Sequence, residues 1–417
     1  MLIHSASQLI CLRGGPQRGL QLGTLDIIED GAVLIRDEKV QELGSTAELL
    51  QRFPQEAKLD AHHQVVMPGF VDPHTHLIWA GDRALEFSLR LEGKSYMDIL
   101  ASGGGILSTV NATRQASNTD LENTAAKRAR SMLRHGTTTL EAKTGYALNV
   151  EGELRLLEII MNLRGVLPLD IIPTYLGAHA VPPEYAGDAV GYTRLLVENA
   201  LPQLKAWWQQ HYLNENYPFV DVFCEPSVFN LEHTRAILSA ARTLGFPLKI
   251  HADEFENIGG ASLAAELGAT SADHLVKTGI EDIKNLAASS TVSVALPCTP
   301  FGLAEDAYTP ARQIIAQNGL LALASDLNPG TAWCGNMQFV IALACRFMKL
   351  TPAQAIAAAT INAAAAINME DRVGSLEPGK QADILILKVP DYRHLGYRFG
   401  ENLVETVIKK GKAIDFS

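Results

Sequence analysis

His74 and His76 close an apolar run, VVMPGFVDPHTH, with one threonine between them. An extended chain puts residues i and i+2 on one face, so both imidazoles can reach one ion. His251 and Glu254 follow in HADEF, His274 in SADHL and Asp326 in SDLNPG. Imidazole and carboxylate suit zinc or iron, and a catalytic ion keeps a coordination position open for water and lowers its pKa toward neutrality. Hydrolysis also needs groups that move protons and carry developing charge. Glu254, three residues past His251, is the candidate general acid/base. Asp326 is a candidate ligand that also takes a proton from water, and His274 a candidate for stabilising charge on the attacked oxygen. Alone, each has an ordinary reading: a packed, hydrogen-bonded histidine, or a carboxylate favoured in the first turn of a helix. Two histidines, a third histidine and a distant aspartate, each at the end of an apolar run, point to a metal site.

The elements that must position these residues are legible as alternation. Eight short apolar runs end near residues 74, 143, 179, 225, 251, 274, 296 and 326, and helical segments such as LENTAAKRARSMLRHG and LEHTRAILSAARTLG lie between them. Eight βα units predict a (β/α)8 TIM barrel, whose reactive groups sit at the C-terminal strand ends. In that register the ends carry His74 and His76, Lys143 and then Tyr146, His179, Glu225, His251, His274 and Asp326, so five of the twelve histidines fall there. A doubly wound open sheet is the rival, and no G-x-G-x-x-G or P-loop pattern supports it. The first ~60 and last ~45 residues read as short strands bounded by glycines. Residues 1–64 and 370–417 are therefore expected to form one small β-sandwich-like domain beside a barrel of residues 65–369.

The bulk numbers bound the reading. The chain has 417 residues, 47% hydrophobic, enough for a large core. A formal net charge of −11 without a long basic run argues against a nucleic-acid or anionic-membrane partner. Five scattered cysteines with no C-x-x-C pair support neither a disulfide framework nor a zinc ribbon. The N-terminus lacks the pattern of a signal peptide and no apolar run is long enough to span a bilayer, so the cytoplasm is the expected compartment.

PGFVDPHTH, HADE, DHL, SDLNPG and EPGKQADILIL resemble, in order, the landmarks of the amidohydrolase superfamily. The resemblance covers nearly the whole chain and implies a metal-bearing barrel with a sheet from both termini. Binuclear members carry a carboxylated lysine at the end of the fourth strand. Here Cys224-Glu225 stand there and Lys143 ends the second strand, so the resemblance implies one divalent or trivalent ion per subunit, Zn2+ or Fe3+, on His74, His76, His251 and Asp326.

DPHTHLIWAGDRALEF, SGGGILSTVNATR, EAKTGYALN, LGAHAVPPEY, HADEF and SDLNPGTAW together resemble one branch of that superfamily, the cyclic-amide hydrolases of histidine degradation. The branch opens 4-imidazolone-5-propanoate with water to N-formimino-L-glutamate. Arg83 suits the anionic propanoate tail. Tyr96, Tyr146 and His179 match positions that contact substrate, as do Glu254 and the late loop Asn328, Gly330 and Thr331. The segment Gly103–Gly105 lacks the lysine of a phosphate cradle and reads as a turn or lid. The resemblance also implies a homodimer. The alternatives are a guanine- or cytosine-type deaminase on the same scaffold, which has no need of Arg83, and a barrel that has lost its chemistry.

Overall fold

The computed structural model describes residues 1–93 and 104–416. Two eight-stranded sheets organise the chain. The first contains β1 (Leu2–Ile10), β2 (Ile27–Arg36), β3 (Lys39–Ser45), β4 (Lys58–Asp60) and β5 (Val65–Pro68). The second is formed by β6 (Phe70–Asp72), β7 (Thr137–Lys143), β8 (Asp170–Ala178), β9 (Phe219–Cys224), β10 (Lys249–Ala252), β11 (Ser271–His274), β12 (Val292–Ala295) and β13 (Leu321–Leu323). The chain then returns to the first sheet as β14 (Ile384–Leu387), β15 (Val404–Lys409) and β16 (Lys412–Ala413).

The termini meet as expected. β14 pairs antiparallel with β5, and β5 pairs parallel with β1, so both ends of the chain share one sheet. Its apolar face, with Ile3, Leu9, Val33, Val66, Ile384 and Ile408, forms a core of its own. The expected single strand ending near residue 74 is in fact two. Val65–Pro68 lies in the terminal sheet and Phe70–Asp72 in the barrel, with the chain crossing at Gly69. A Cβ there would lie 2.2 Å from the Thr138 hydroxyl oxygen, so only glycine lets the crossing pack against β7.

β6 to β13 run parallel in sequence order, each pair joined by a crossover that contains helix. The helices form where caps and apolar faces coincide. Ser117, Asn149 and Asn230 accept from the backbone of the first turn of helices Asn118–Arg134, Val150–Val166 and Leu231–Thr243, and the inner faces of those helices are buried. β6 and β13 do not themselves pair. The ring closes just beyond their ends, where Asp326 N donates to His74 O at 3.1 Å and His76 N to Leu327 O at 2.9 Å.

The barrel interior is unusually polar. Period-two alternation aims Glu141 and Lys143 of β7, Lys249 and His251 of β10, and Ser271 and Asp273 of β11 inward in pairs. All are buried, and their polar atoms meet one another beneath the strand ends.

Candidate active site

The strand ends bring His74, His76, His251 and Asp326 to one point. His74 Nε2 and His76 Nε2 lie 3.4 and 3.5 Å from the same oxygen, Asp326 Oδ1. The His251 ring packs 4.5 Å from that of His74 and 5.5 Å from that of His76, centroid to centroid. Asp326 Oδ2 accepts the Thr299 hydroxyl at 2.5 Å, which leaves Oδ1 to face the histidines. Burial opposes the charge on Asp326, but His74 and His76 beside it hold its carboxyl well below the usual range.

The donor set fits a metal ion. Nε2 of His74 and of His251 are buried and make no hydrogen bond. Their other nitrogens face carboxylates: His74 Nδ1 lies 2.6 Å from Asp273 Oδ2 and His251 Nδ1 lies 2.9 Å from Asp221 Oδ2. At His74 the contact is a hydrogen bond, which fixes the proton on Nδ1 and presents the Nε2 lone pair to a cation; at His251 the carboxylate is within ion-pair distance of Nδ1 without hydrogen-bond geometry. Unpartnered buried lone pairs are costly without such an ion. His274 also comes within reach of His74 and His251, so the residues group in two overlapping triads, His74–His76–Asp326 and His74–His251–His274.

Two strand-end residues need unusual backbone to face the cavity. His274 directly follows the inward Asp273, so an extended strand would turn it outward. Its φ of +78° swings it back, and Asp326 likewise has φ of +56°. His274 Nε2 then stands 3.5 Å from Glu254 Oε2. Burial lowers the His274 pKa to about 4, so its ring is neutral near pH 7. Burial, with Asp326 and Glu225 nearby, pushes the Glu254 carboxyl well above its ordinary value. Glu225 positions this loop: its carboxylate accepts from the backbone nitrogens of Glu254 at 2.8 Å, Phe255 at 3.1 Å and Glu256 at 3.3 Å.

A cavity of about 480 Å³ opens above these groups, lined by His76, Arg83, Tyr146, His179, His251, Glu254, His274, Asp326, Asn328, Gly330 and Thr331 among others. It is of a size for a small molecule. His179 stacks on His76 at 4.8 Å, and its Nδ1 lies 3.0 Å from Gly145 O. Burial lowers its pKa to about 3, so Nδ1 is the donor and Nε2 an acceptor. Tyr146 packs beside both rings on a loop gripped by Glu153, which accepts from the nitrogens of Gly145, Ala147 and Leu148. Arg83 pairs with Glu86 at 2.7 Å and faces the same cavity. The Asn328 side chain organises its own loop, accepting from the nitrogens of Gly330 and Thr331 and donating to Asp326 O and the Thr331 hydroxyl. Gly330 makes room: a Cβ there would lie 2.3 Å from Arg83 Nη1. Tyr96 and Gly103 lie outside the described residues. Gly105 caps helix Ile106–Gln115 with φ of +80° and donates to Glu86 Oε1.

Sequence reasoning missed the groups that act through others. Asp221, Asp273, Lys249, Thr299 and Glu153 touch site residues or their loops, and Glu225 and Lys143 were noticed without a role. The available signal was an ionisable residue inside an apolar strand, as in VDVFC and LKIHA. Glu153 gave none, because acidic residues in a first helical turn are commonplace.

The Amidohydrolase family model matches residues 65–414, and a model of the bacterial imidazolonepropionase-like composite domain matches residues 31–55. The chain is 48% identical over 413 residues to an imidazolonepropionase of Herpetosiphon aurantiacus, covering 99% of this chain and 96% of that protein. It is 46% identical over 417 residues to the enzyme of the same name from Symbiobacterium thermophilum, covering 99% and 97%. Among solved structures, a triazine hydrolase variant superposes with a TM-score of 0.78 at 15% identity, covering 99% of this chain and 94% of that one. A zinc-containing adenosine deaminase from Xanthomonas campestris superposes with 0.70 at 18% identity, covering 100% and 94%. At those identities the likeness is one of fold.

Proposed function

The chain belongs to the amidohydrolase family, and from that premise we propose that it carries out the reaction of its full-length imidazolonepropionase relatives: hydrolysis of 4-imidazolone-5-propanoate to N-formimino-L-glutamate. The observation that carries this is the convergence, in one cavity, of a histidine–aspartate cluster that fits a metal ion, a buried carboxyl and a guanidinium. It is a metal-dependent hydrolase; we assign the ligands as His74, His76, His251 and Asp326, and zinc or iron, one ion per subunit, as the occupant. Once bound, such an ion supplies Lewis-acid polarisation and makes water acidic enough to lose a proton near neutrality.

The chain's own groups do the rest. Arg83 faces the propanoate carboxylate, where a planar guanidinium can bind both oxygens. The His179 Nε2 acceptor faces an N–H of the ring, and Tyr146 packs against it. The oxygen of water adds to the ring carbonyl carbon and the adjacent C–N bond breaks. Glu254, whose carboxyl burial pushes well above its ordinary value, delivers a proton to the departing nitrogen, which remains attached as the formimino group. Asp326, kept ionised, accepts a proton from the water. His274, 3.5 Å from Glu254, stabilises charge on the carbonyl oxygen. Asn328 and Gly330 shape the loop that lets Arg83 reach the substrate.

The test is turnover of imidazolonepropionate followed by loss of its absorbance. Glu254→Gln is expected to abolish turnover and to leave metal content near that of the wild type. Wild-type-like turnover in that variant defeats the assignment of Glu254. Ammonia release from a nucleobase with no reaction on imidazolonepropionate favours the deaminase alternative. No helix of the described residues is long and apolar enough to cross a membrane. A cytoplasmic homodimer is part of the proposal, and sedimentation of the purified protein checks the dimer.

A further inference from the structure

Lys143 is fully buried below the metal ligands, and the reaction as described does not use it. Its ammonium donates to Glu141 Oε1 at 2.7 Å and Asp221 Oδ2 at 2.8 Å, and lies 3.8 Å from Asp273 Oδ2. Each partner leads to a different part of the ligand set. Asp221 Oδ2 is the atom beside His251 Nδ1, and Asp273 Oδ2 is the atom beside His74 Nδ1. Glu141 Oε2 accepts from Thr75 N at 3.2 Å, and its backbone oxygen accepts the Thr75 hydroxyl at 2.6 Å. Thr75 is the residue between His74 and His76. Lys249 reaches Asp273 at 3.6 Å and otherwise bonds backbone oxygens of Pro73 and Ala366. Among the described residues, Lys143 is thus the one cation in contact with the carboxylates of both histidine arms.

We propose that Lys143 is a positioning residue for the metal site, holding Asp221, Asp273 and Glu141 so that His74, His76 and His251 are aligned before an ion arrives. Three buried carboxylates this close repel one another, and the repulsion falls on the atoms that orient the imidazoles. A lysine at their centre offsets it and fixes where each carboxylate points. Charge opposition also favours the ionised forms: burial disfavours the Lys143 ammonium, but Asp221, Glu141 and Asp273 raise its pKa. The inference rests on the metal-hydrolase reading and assigns a role to a residue outside the ligand and proton-transfer sets.

The experiment measures zinc affinity of the full chain after metal removal, by titration of Zn2+ alone against a chromophoric chelator. Lys143→Met, Asp221→Asn and the double variant are compared with wild type. Each single change is expected to weaken zinc binding about 10- to 100-fold, the range for partners of ligating histidines. Because Lys143 acts on His251 through Asp221, the double variant is expected to lose much less than the product of the two single losses. Proton spectra of ¹⁵N-histidine-labelled protein give a second readout: His251 is expected to lose its single Nδ1–H form in Lys143→Met. A folded Lys143→Met protein with wild-type zinc affinity, or losses that multiply in the double variant, overturns the proposal. If Lys143→Met does not fold, Asp221→Asn is compared with the double variant, which lacks the uncompensated Asp221 carboxylate. A further loss of less than about tenfold, the part Lys143 exerts through Asp273 and Glu141, supports the proposal, and a further loss of about tenfold or more overturns it. If the wild type itself binds no zinc or iron, the metal reading fails first, and that outcome is distinct from all of these.

Discussion

At the scale of single residues, two of the assigned ligands have their second atom held: His74 Nδ1 by Asp273 and Asp326 Oδ2 by Thr299. Asp326 offers Oδ1 because Thr299 holds Oδ2. Thr299→Val keeps the shape and removes that donor, so Asp326 gains freedom to rotate. Metal affinity is expected to fall several-fold with little change in the unfolding midpoint, measured by chelator competition and urea denaturation. Arg83 reaches the cavity because position 330 has no Cβ. Gly330→Ala displaces the guanidinium and is expected to raise KM for imidazolonepropionate about tenfold, roughly 1.4 kcal/mol, with a smaller effect on kcat. Equal KM values in the two proteins reject the placement of Arg83. That His74, His76, His251 and Asp326 come together was legible in the sequence, because histidines and carboxylates are rare at the ends of apolar strands. The supporting residues were not. Asp221 and Asp273 differ from surface aspartates only in which way the strand faces, and a carboxylate's partner is set by strands far away in sequence.

At the scale of elements, alternation and caps place the ligands, and departures from regular backbone aim them. Eight strands were readable from apolar runs between helical segments. The split of the first run at Gly69 was not, since VVMP and FVD read as one continuous run and only the structure shows that they join different sheets. Gly69→Ala puts a methyl against Thr138 and is expected to destabilise the protein by about 1–3 kcal/mol, the cost of overpacking a close contact. The urea midpoint should drop with an unchanged slope, and Thr138→Ala in the same background should recover part of the loss. The left-handed backbone at His274 and Asp326 was equally hidden, because neither residue type demands it and only the cavity explains it.

At the scale of the whole molecule, two sheets are tied at the barrel's lower rim. Lys409 of β15 donates to Thr138 O, Asp170 and Asp383, joining the terminal sheet to β7 and β8. Burial works against the Asp170 carboxylate, but Lys409 and Gln381 outweigh it and lower its pKa. A lowered folded pKa contributes stability that is present above the unfolded value of about 3.9 and lost as pH falls through the folded one. The urea midpoint is therefore expected to hold down to about pH 4 for this group and to fall below it. Lys409→Met removes the nearest cation and leaves Asp170 with Lys410 at 3.8 Å and Gln381, so the loss of stability below about pH 4 is expected to shrink. A variant whose acid limb matches wild type refutes the tie. That the termini would share a sheet was legible, since both ends read as strands. The ion pair joining the sheet to the barrel was not, because Lys409 sits in an ordinary-looking KKGK.

The barrel closes through backbone bonds at residues assigned above as ligands: His74 O with Asp326 N, and His76 N with Leu327 O. The first and last strands of the ring therefore complete the site at the same moment that they complete the barrel. On a ribosome, His74 emerges about 250 residues before the aspartate it needs, and the emerging domain holds no ligating pocket for most of its synthesis. Chains cut short before Leu327 lack the seam, and those that end before Asp326 also lack an assigned ligand.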